Sequence, residues 1–480
     1  MKRNSALIVA ALLFAAFASR AAQPNVLFIL ADDQRTDTIA AHGNPNIETP
    51  NIDSLVRDGF SFRRNYCMGS MHGAVCQPSR AMMMTGQAYF RLKMNLEGTE
   101  TYPQRLRDEG YSTFVTGKWH NDKPGIVKSF ETGRAVMMGG MSNHEAVPIV
   151  DFGENGRFVD RRTGEKFSSE LFADAAIAFL EKQDSDTPFL AYVALTSPHD
   201  PRQPPLDYRE RYYNKNLPLP ENFLPQHPFD NGRLIVRDEN LGAWPRTPDV
   251  VRDQLAEYYG MITHMDDQIG RILDTLDAKG LRENTIIVYA ADHGLALGSH
   301  GLLGKQSVYE HSMGAPLVFS GLGIPKNASS NTLTYLYDIF PTVFDLLDKD
   351  MGVTRDGKSL VPIWSGESDS VRDTIFLAYE DIQRAVVTDR WKLIRYPKID
   401  HMQLFDLDND PHETRNLVNE SENVERVLQM IEQMRASQKQ FGDNAPLVYE
   451  KPLPKAIDLT GTPREPDHWQ PQWIVDKYFD

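Results

Sequence analysis

Residues 25–33 read Asn25-Val26-Leu27-Phe28-Ile29-Leu30-Ala31-Asp32-Asp33. The run through Ala31 is rich in strand formers, is too short for a buried helix, and stops abruptly at two carboxylates. It reads as the first strand of a sheet buried on both faces. Working outward, Thr49, Pro50 and Gly59 bracket the amphipathic segment NIDSLVRD with an N-cap, a proline at the first helical position and a glycine stop. Strand and helix then alternate. Ser112–Val115, Phe189–Thr196, Thr285–Ala291 and Pro316–Ser320 read as strands, and Ser169–Gln183 and Asp253–Lys279 as helices between them. Such alternation predicts an α/β architecture with a mostly parallel central sheet and helices on both faces. Ligands in these sheets bind beyond the carboxyl ends of the strands. Asp32, Asp33, His199, Asp292 and His293 all fall just past predicted strand ends.

After about residue 365 the pattern changes to short alternating segments, Arg384–Thr388, Trp391–Tyr396 and Gln403–Asp406, and then a helix near Val424–Gln440. This predicts a small C-terminal domain, residues 366–480, with an antiparallel sheet and one helix, following a catalytic domain over 22–365. The stretch 444–480, rich in proline and tryptophan, is expected to run extended over the surface. No internal repeat is present.

Length and composition agree with a soluble globular protein. The chain has 480 residues, 41% hydrophobic and 24% charged, enough for a large core and for two to three domains. Lys2 and Arg3 precede an apolar run over Ala6–Ala18 and small residues at Ala16, Ala18, Ser19 and Ala21, which reads as an export signal over 1–21. The run is shorter than the roughly 20 residues a spanning helix needs, so no membrane span is expected. Export, to the periplasm or the medium, implies an oxidising compartment. With only Cys67 and Cys76, stability cannot rest on a disulfide framework, although a Cys67–Cys76 bridge is open on sequence grounds. The formal charge of −15 argues against nucleic acid or an anionic membrane as partner. An anionic substrate would need a locally basic pocket on an acidic body.

The segment Cys76-Gln77-Pro78-Ser79-Arg80, followed by Thr85-Gly86, resembles the C-x-P-S-R-x-x-x-x-T-G signature of type I sulfatases. Further blocks match in order: Gly117-Lys118-Trp119-His120, Ser197-Pro198-His199, Tyr289-Ala290-Ala291-Asp292-His293-Gly294 and Gly304-Lys305. Beyond the site, Tyr309-Glu310-His311, Thr388–Ile394, Leu404–Leu407 and Asp410–Glu413 look like blocks of bacterial sulfatases acting on sulfated sugars, so the likeness runs from about residue 24 to about 420. It implies an alkaline-phosphatase-like α/β sandwich. It also implies that Cys76 is converted by a formylglycine-generating enzyme to 3-oxoalanine (formylglycine), whose aldehyde hydrate is the nucleophile. A geminal diol can attack sulfur with one hydroxyl and expel sulfate by deprotonating the other, so no water need attack.

The family pattern places one metal ion on Asp32, Asp33, Cys76, Asp292 and His293. Three carboxylates suit a hard cation, Ca2+ before Mg2+. His293 departs from the Asn of many members, as it does in iduronate-sulfatase-like branches, and its nitrogen is a soft ligand for calcium. The resemblance gives Arg80 the task of holding the hydrate and the metal-side carboxylates. Lys118 and Lys305 bind sulfate with the metal, Asp33 helps deprotonate the attacking hydroxyl, and His199 with Lys305 protonates the leaving alcohol. His120 takes the second hydroxyl's proton. For the sugar side, His72, Arg91, His144, Asp200 and Arg202 are loop candidates, and Trp469 and Trp473 either stack on a sugar or anchor the tail. The function expected is sulfate removal from carbohydrates, with small aryl or alkyl sulfates as an alternative. Phosphonate or phosphodiester hydrolysis and a non-catalytic sulfated-glycan binder are the readings from other classes.

Overall fold

The computed structural model describes residues 23–479 apart from 154 and 185–186, so the export-signal reading of 1–21 lies outside the described residues. The large sheet contains β1 (Asn25–Ala31), β2 (Gly59–Tyr66), β4 (Ser112–Lys118), β5 (Thr132–Met137), β6 (Pro148–Phe152), β7 (Phe158–Thr163), β8 (Phe189–Ala194), β9 (Thr285–Ala291), β10 (Leu317–Gly321) and β11 (Ala328–Tyr335). A second sheet contains β3 (Gly69–Ser70), β12 (Ile375–Tyr379), β13 (Gln383–Val387), β14 (Trp391–Tyr396) and β15 (His401–Asp406). The large sheet runs in the order β11-β2-β10-β9-β1-β8-β4-β5-β6-β7. Its centre, β9-β1-β8-β4-β5, is parallel, and β10, β6 and β7 run antiparallel to their neighbours. Every residue of β1, β8 and β9 is buried, as expected of strands covered by helices on both faces.

Register places the chemistry. Ala31 pairs with Ala291, so Asp32-Asp33 and Asp292-His293 leave the sheet side by side. On the other flank Leu30 pairs with Ala194 and Ala194 with Gly117, which brings the segment leading to His199 and the end of β4 at Lys118 to the same edge. Gly117 is required there. It has φ +88, and a Cβ would stand 1.8 Å from the Ala194 carbonyl oxygen.

The small sheet is not closed within the C-terminal part. Its edge strand is β3, parallel to β12 and six residues before Cys76, so the sheet is tied to the segment leading into the Cys76–Thr85 helix. The tail is extended for most of its length but ends in a second C-terminal helix, Gln472–Tyr478, because Ile474 and Tyr478 share a buried face. Trp473 stacks on the Arg209 guanidinium at 4.3 Å, an anchoring role rather than a sugar platform. The exposed β7, the polar-interrupted β2 and the short β12 lack the long apolar pattern that revealed β1 and β9. Among the described residues no helix is long and apolar enough to cross a membrane.

Candidate active site

Cys76 opens a helix that ends where the signature predicts: Thr85 Oγ1 donates to the Ala81 carbonyl at 2.8 Å, and Gly86, at φ 67, caps the helix through its N–H to Met82. Ser79 Oγ donates to the Asp292 carbonyl at 2.6 Å, pinning the helix to the end of β9. Arg80 lies four residues after Cys76, on the same helix face. Its Nε donates to Asp292 Oδ2 at 3.1 Å, its NH1 donates to the Lys118 carbonyl at 2.7 Å, and its NH2 lies 3.6 Å from Asp32 Oδ1. The sequence thus converts one turn of helix into a brace between two strand ends.

The site is a buried array of matched charges. Lys118 Nζ meets Asp32 Oδ2 at 2.5 Å, and Lys305 Nζ meets both Asp33 oxygens at 2.8 Å and Cys76 Sγ at 3.3 Å. Burial and Asp292 oppose the charge on Asp32, but Lys118 and Arg80 outweigh them and hold its carboxyl below the usual range. Burial pushes Asp33 well above that range despite Lys305. Burial likewise resists ionisation of the Cys76 thiol, yet Lys118 and Lys305 bring it below its ordinary value. Cys67, without such cations, is pushed up to about 12 by burial. Both cysteines are free, so the bridge between them is not formed.

Three histidines face this array. His293 Nδ1 donates to the Gly294 carbonyl at 2.9 Å, leaving Nε2 directed at Cys76 Sγ at 3.1 Å and Asp33 Oδ1 at 3.3 Å. Burial opposes its charge, but Asp292, Cys76 and Asp33 raise its pKa to about 10. His199 Nδ1 donates to the Asp200 carbonyl at 2.7 Å and its Nε2 lies 3.8 Å from Asp33 Oδ2; burial and then Lys305 and Lys118 push it well below the usual histidine range. His120 is lowered in the same way, with a backbone φ of 64 and a buried Nδ1 that has no partner. A Cβ on Gly140 would stand 2.3 Å from His120 Nε2, so that glycine admits the ring.

The donor set fits a hard divalent cation. Asp32 Oδ1 is buried without a hydrogen-bond partner, and Asp33, Cys76, Asp292 and His293 bring one ligand atom each within 4.8 Å of one another. Carboxylate oxygens predominate, and the Nδ1–H bond of His293 is what leaves Nε2 free for a metal.

Above Cys76 lies a cleft of about 390 Å3, lined on its floor by Cys76, His120, His199 and Lys305 and at its mouth by Arg233, Arg237, Asp238, Gln306 and Tyr379. The sequence reading did not pick out these mouth residues, which come from loops, from the short 3-10 helix Arg237–Leu241 and, for Tyr379, from the small sheet. Arg233 pairs with Glu380, and Arg237 with Asp200, Asp238 and Asp467 of the tail. Tyr258 was also missed: its hydroxyl donates to the Asp33 carbonyl at 2.6 Å from the Pro248–Ala278 helix. A lone tyrosine on a helix gives no sequence signal.

The loop candidates for the sugar side separate from the cleft. Arg202 is buried, with NH1 on Gln254 and Nε and NH2 unpartnered, and does not line it. His72 is half-buried outside the lining, and Arg91 pairs with Asp356 on the surface. Asp200 sits beneath His199. His144 is buried, its Nε2 donating to the His199 carbonyl at 2.9 Å and its Nδ1 accepting from Ser168 at 2.8 Å. These two are supports of His199 rather than walls of the cleft.

Comparison with known proteins agrees with this geometry. The sulfatase family model matches residues 24–349, and the model of the N-sulphoglucosamine sulphohydrolase C-terminal region matches 298–440. The chain is 25% identical to an N-acetylglucosamine-6-O-sulfatase of Bacteroides thetaiotaomicron, over 88% of each chain. A solved structure in complex with its substrate D-glucosamine-2-N,6-O-disulfate superposes with a TM-score of 0.74 at 22% identity, covering 88% of this chain and 99% of that one. A phosphonate monoester hydrolase of Agrobacterium radiobacter superposes at 0.71 with 22% identity, covering 91% of this chain and 100% of that one. The two superpositions speak for the alkaline-phosphatase-like fold; the family match, over more than half the chain, speaks for the chemistry. The chain belongs to the sulfatase family and is a sulfuric ester hydrolase.

Proposed function

We propose that the protein is an exported enzyme that removes sulfate from sulfated carbohydrates. It would use formylglycine made from Cys76 and a calcium ion held by Asp32, Asp33, Asp292 and His293, with the modified Cys76 as a further ligand. The observation that carries the reading is the position of Cys76. It lies at the floor of a cleft between Lys118, Lys305 and His199, while the cleft mouth presents a polar wall of the kind that binds hydroxyl-rich ligands. The names of the relatives favour sugars, and the Lys2-Arg3 start with its apolar run favours export. Residues 22–365 would form the catalytic unit and 366–480 a second domain that lends Tyr379 to the cleft.

The division of labour follows from placement. Calcium, when bound, would neutralise sulfate charge as it grows during transfer. Formylglycine, when present, would supply one hydrate hydroxyl as nucleophile and a second whose deprotonation breaks the C–O bond to sulfate, so that no water need attack. Cys76 Sγ marks where a hydrate hydroxyl would stand. Asp33 Oδ1, 3.6 Å from it, is the nearest carboxylate oxygen and would take its proton, helped by a carboxyl already raised by burial. Lys118 and Lys305 would hold sulfate oxygens. His199 Nε2 with Lys305 would protonate the leaving alcohol, and His120 would accept the proton of the second hydroxyl. Arg80 would keep Asp32 and Asp292 apart and ionised.

The test is sulfate release, read by ion chromatography, from sulfated oligosaccharides by enzyme co-expressed with a formylglycine-generating enzyme. Cys76→Ala is expected to abolish release while keeping the fold, and mass spectrometry of the wild-type peptide to show the converted residue. Turnover retained in Cys76→Ala would overturn the nucleophile. Silence on every sugar sulfate, with Cys76 converted, would move the assignment to small sulfate esters or to the phosphonates and phosphodiesters suggested by the second structural likeness.

A further inference from the structure

A cavity roomier than the candidate catalytic cleft lies elsewhere on the molecule. A groove of about 710 Å3 opens where β11, the turn between β13 and β14, and the Val424–Phe441 helix meet. A second hollow of about 340 Å3 continues it, sharing Ser370, Arg372 and Asp373. Asp373 lies six residues before Tyr379 of the catalytic cleft, with β12 between them, so the groove stands about 20 Å away at the other end of the small sheet.

The groove is lined by side chains with unused hydrogen-bonding capacity. Asn331, Asp369, Asp373, Gln429 and Gln433 line it, and none of their side chains makes a hydrogen bond or ion pair among the described residues. At its wall the Trp391 ring carries the Arg426 guanidinium at 3.8 Å and the Arg390 guanidinium at 5.0 Å, so planar groups cluster on that side. Planar amides and carboxylates can each bridge two neighbouring hydroxyls, and guanidinium groups donate to others, which suits a sugar. The charge balance excludes a polyanion. Arg372 is neutralised by Asp338 and Arg390 by Asp406, which leaves Arg426 alone against the free Asp369 and Asp373.

From these features we infer that the groove is a second carbohydrate site, which binds a neutral, unsulfated stretch of the glycan whose sulfates the catalytic cleft removes. This rests on the carbohydrate reading above and adds a polymer preference to it. A chain held at both places would dissociate more slowly than one held at the cleft alone.

The experiment pairs native gel electrophoresis in agarose-, xylan- or mannan-containing gels with kinetics on a sulfated polymer and its sulfated monosaccharide. The wild type should be retarded by a neutral polysaccharide, and the double variant Gln429→Ala/Gln433→Ala should lose that retardation. The variant's KM for the polymer should rise at least about tenfold, with kcat and the monosaccharide constants unchanged. Trp391→Ala, compared at matched thermal stability, gives a second reading of the same wall. The proposal is overturned by a wild type that no neutral polysaccharide retards, or by retardation kept in both variants. Retardation by carrageenan but not by agarose would overturn it too. A wild type that cleaves aryl sulfates but no carbohydrate sulfate would instead overturn the substrate reading, and the gels would still judge the groove separately.

Discussion

Replacing Arg80 with methionine tests whether the signature arginine is a structural counter-charge for the carboxylates. Its side chain is 1% exposed, and removal strips Asp292 of a partner at 3.1 Å, Asp32 of one at 3.6 Å and the Lys118 carbonyl of a donor at 2.7 Å. Breaking a buried ion pair from one side costs roughly 3–5 kcal/mol. We therefore expect a loss of about 4 kcal/mol in metal-free protein. With an unfolding entropy of ~2.1 cal/mol/K per residue, a chain of 480 residues loses about 1 kcal/mol per degree, so the midpoint should fall by ~4 °C. Calcium, if it binds as proposed, should alter the outcome in a specific direction. A cation on Asp32 and Asp292 replaces the missing positive charge, and binding at about 100 times Kd adds about 2.7 kcal/mol to whichever protein binds it. The variant, with less competing charge, should gain more than the wild type, and the gap should shrink to about 2 °C. Differential scanning calorimetry in chelator and in calcium reads both numbers. A drop below about 1 °C in chelator, or a gap that calcium leaves unchanged, would refute the counter-charge argument.

Other substitutions probe the remaining roles. His199→Ala should slow alkyl sulfates by about 10²–10⁴-fold and aryl sulfates by less than about tenfold, because a phenolate leaves without an acid; equal losses would remove its general-acid role. Gly140→Ala places a Cβ 2.3 Å from His120 Nε2, so kcat should fall by about 10-fold or more while the melting temperature stays within a degree or so. Unchanged kcat would show that the ring has room to move. His144 is held neutral by burial, with its pKa lowered from 6.5 to about 4. The folded state therefore binds fewer protons than the unfolded one, so this contribution is complete above pH 6.5 and is lost as the pH falls toward 4. The displacement corresponds to about 3 kcal/mol. His144→Gln should flatten the melting-temperature profile between pH 6.5 and 4, and a profile as steep as the wild type's would contradict it.

Much of this architecture is legible in local sequence because its strands are buried on both faces. Asn25–Ala31, Thr285–Ala291 and Trp391–Tyr396 have the same limits in the structure as in the sequence reading; in the first two, complete burial demands a nearly unbroken apolar run. β7 was not legible because an exposed edge strand needs neither, and β3, two residues long, is a strand only because β12 lies beside it. The same difference governs the site. Cys76, Arg80 and the Thr85-Gly86 stop are set by the geometry of one helix, so a contiguous motif records them. Arg202 looked like a cleft residue from its neighbours in sequence, but the chain folds it inward against Gln254.

Sequence alone therefore determined the sheet's central strands, the type of reaction and the motif that places Cys76 and Arg80 on one helix, because each depends on local pattern or on spacing within one element. Only the tertiary structure decided that Ala31 and Ala291 stand in register, that His144 and Asp200 carry His199, and that Tyr379 of the small sheet reaches the catalytic cleft. It alone gathered five unpaired polar side chains around Trp391. Those relations join residues tens to hundreds of positions apart, and packing, not any signal between neighbours in the chain, brings them together.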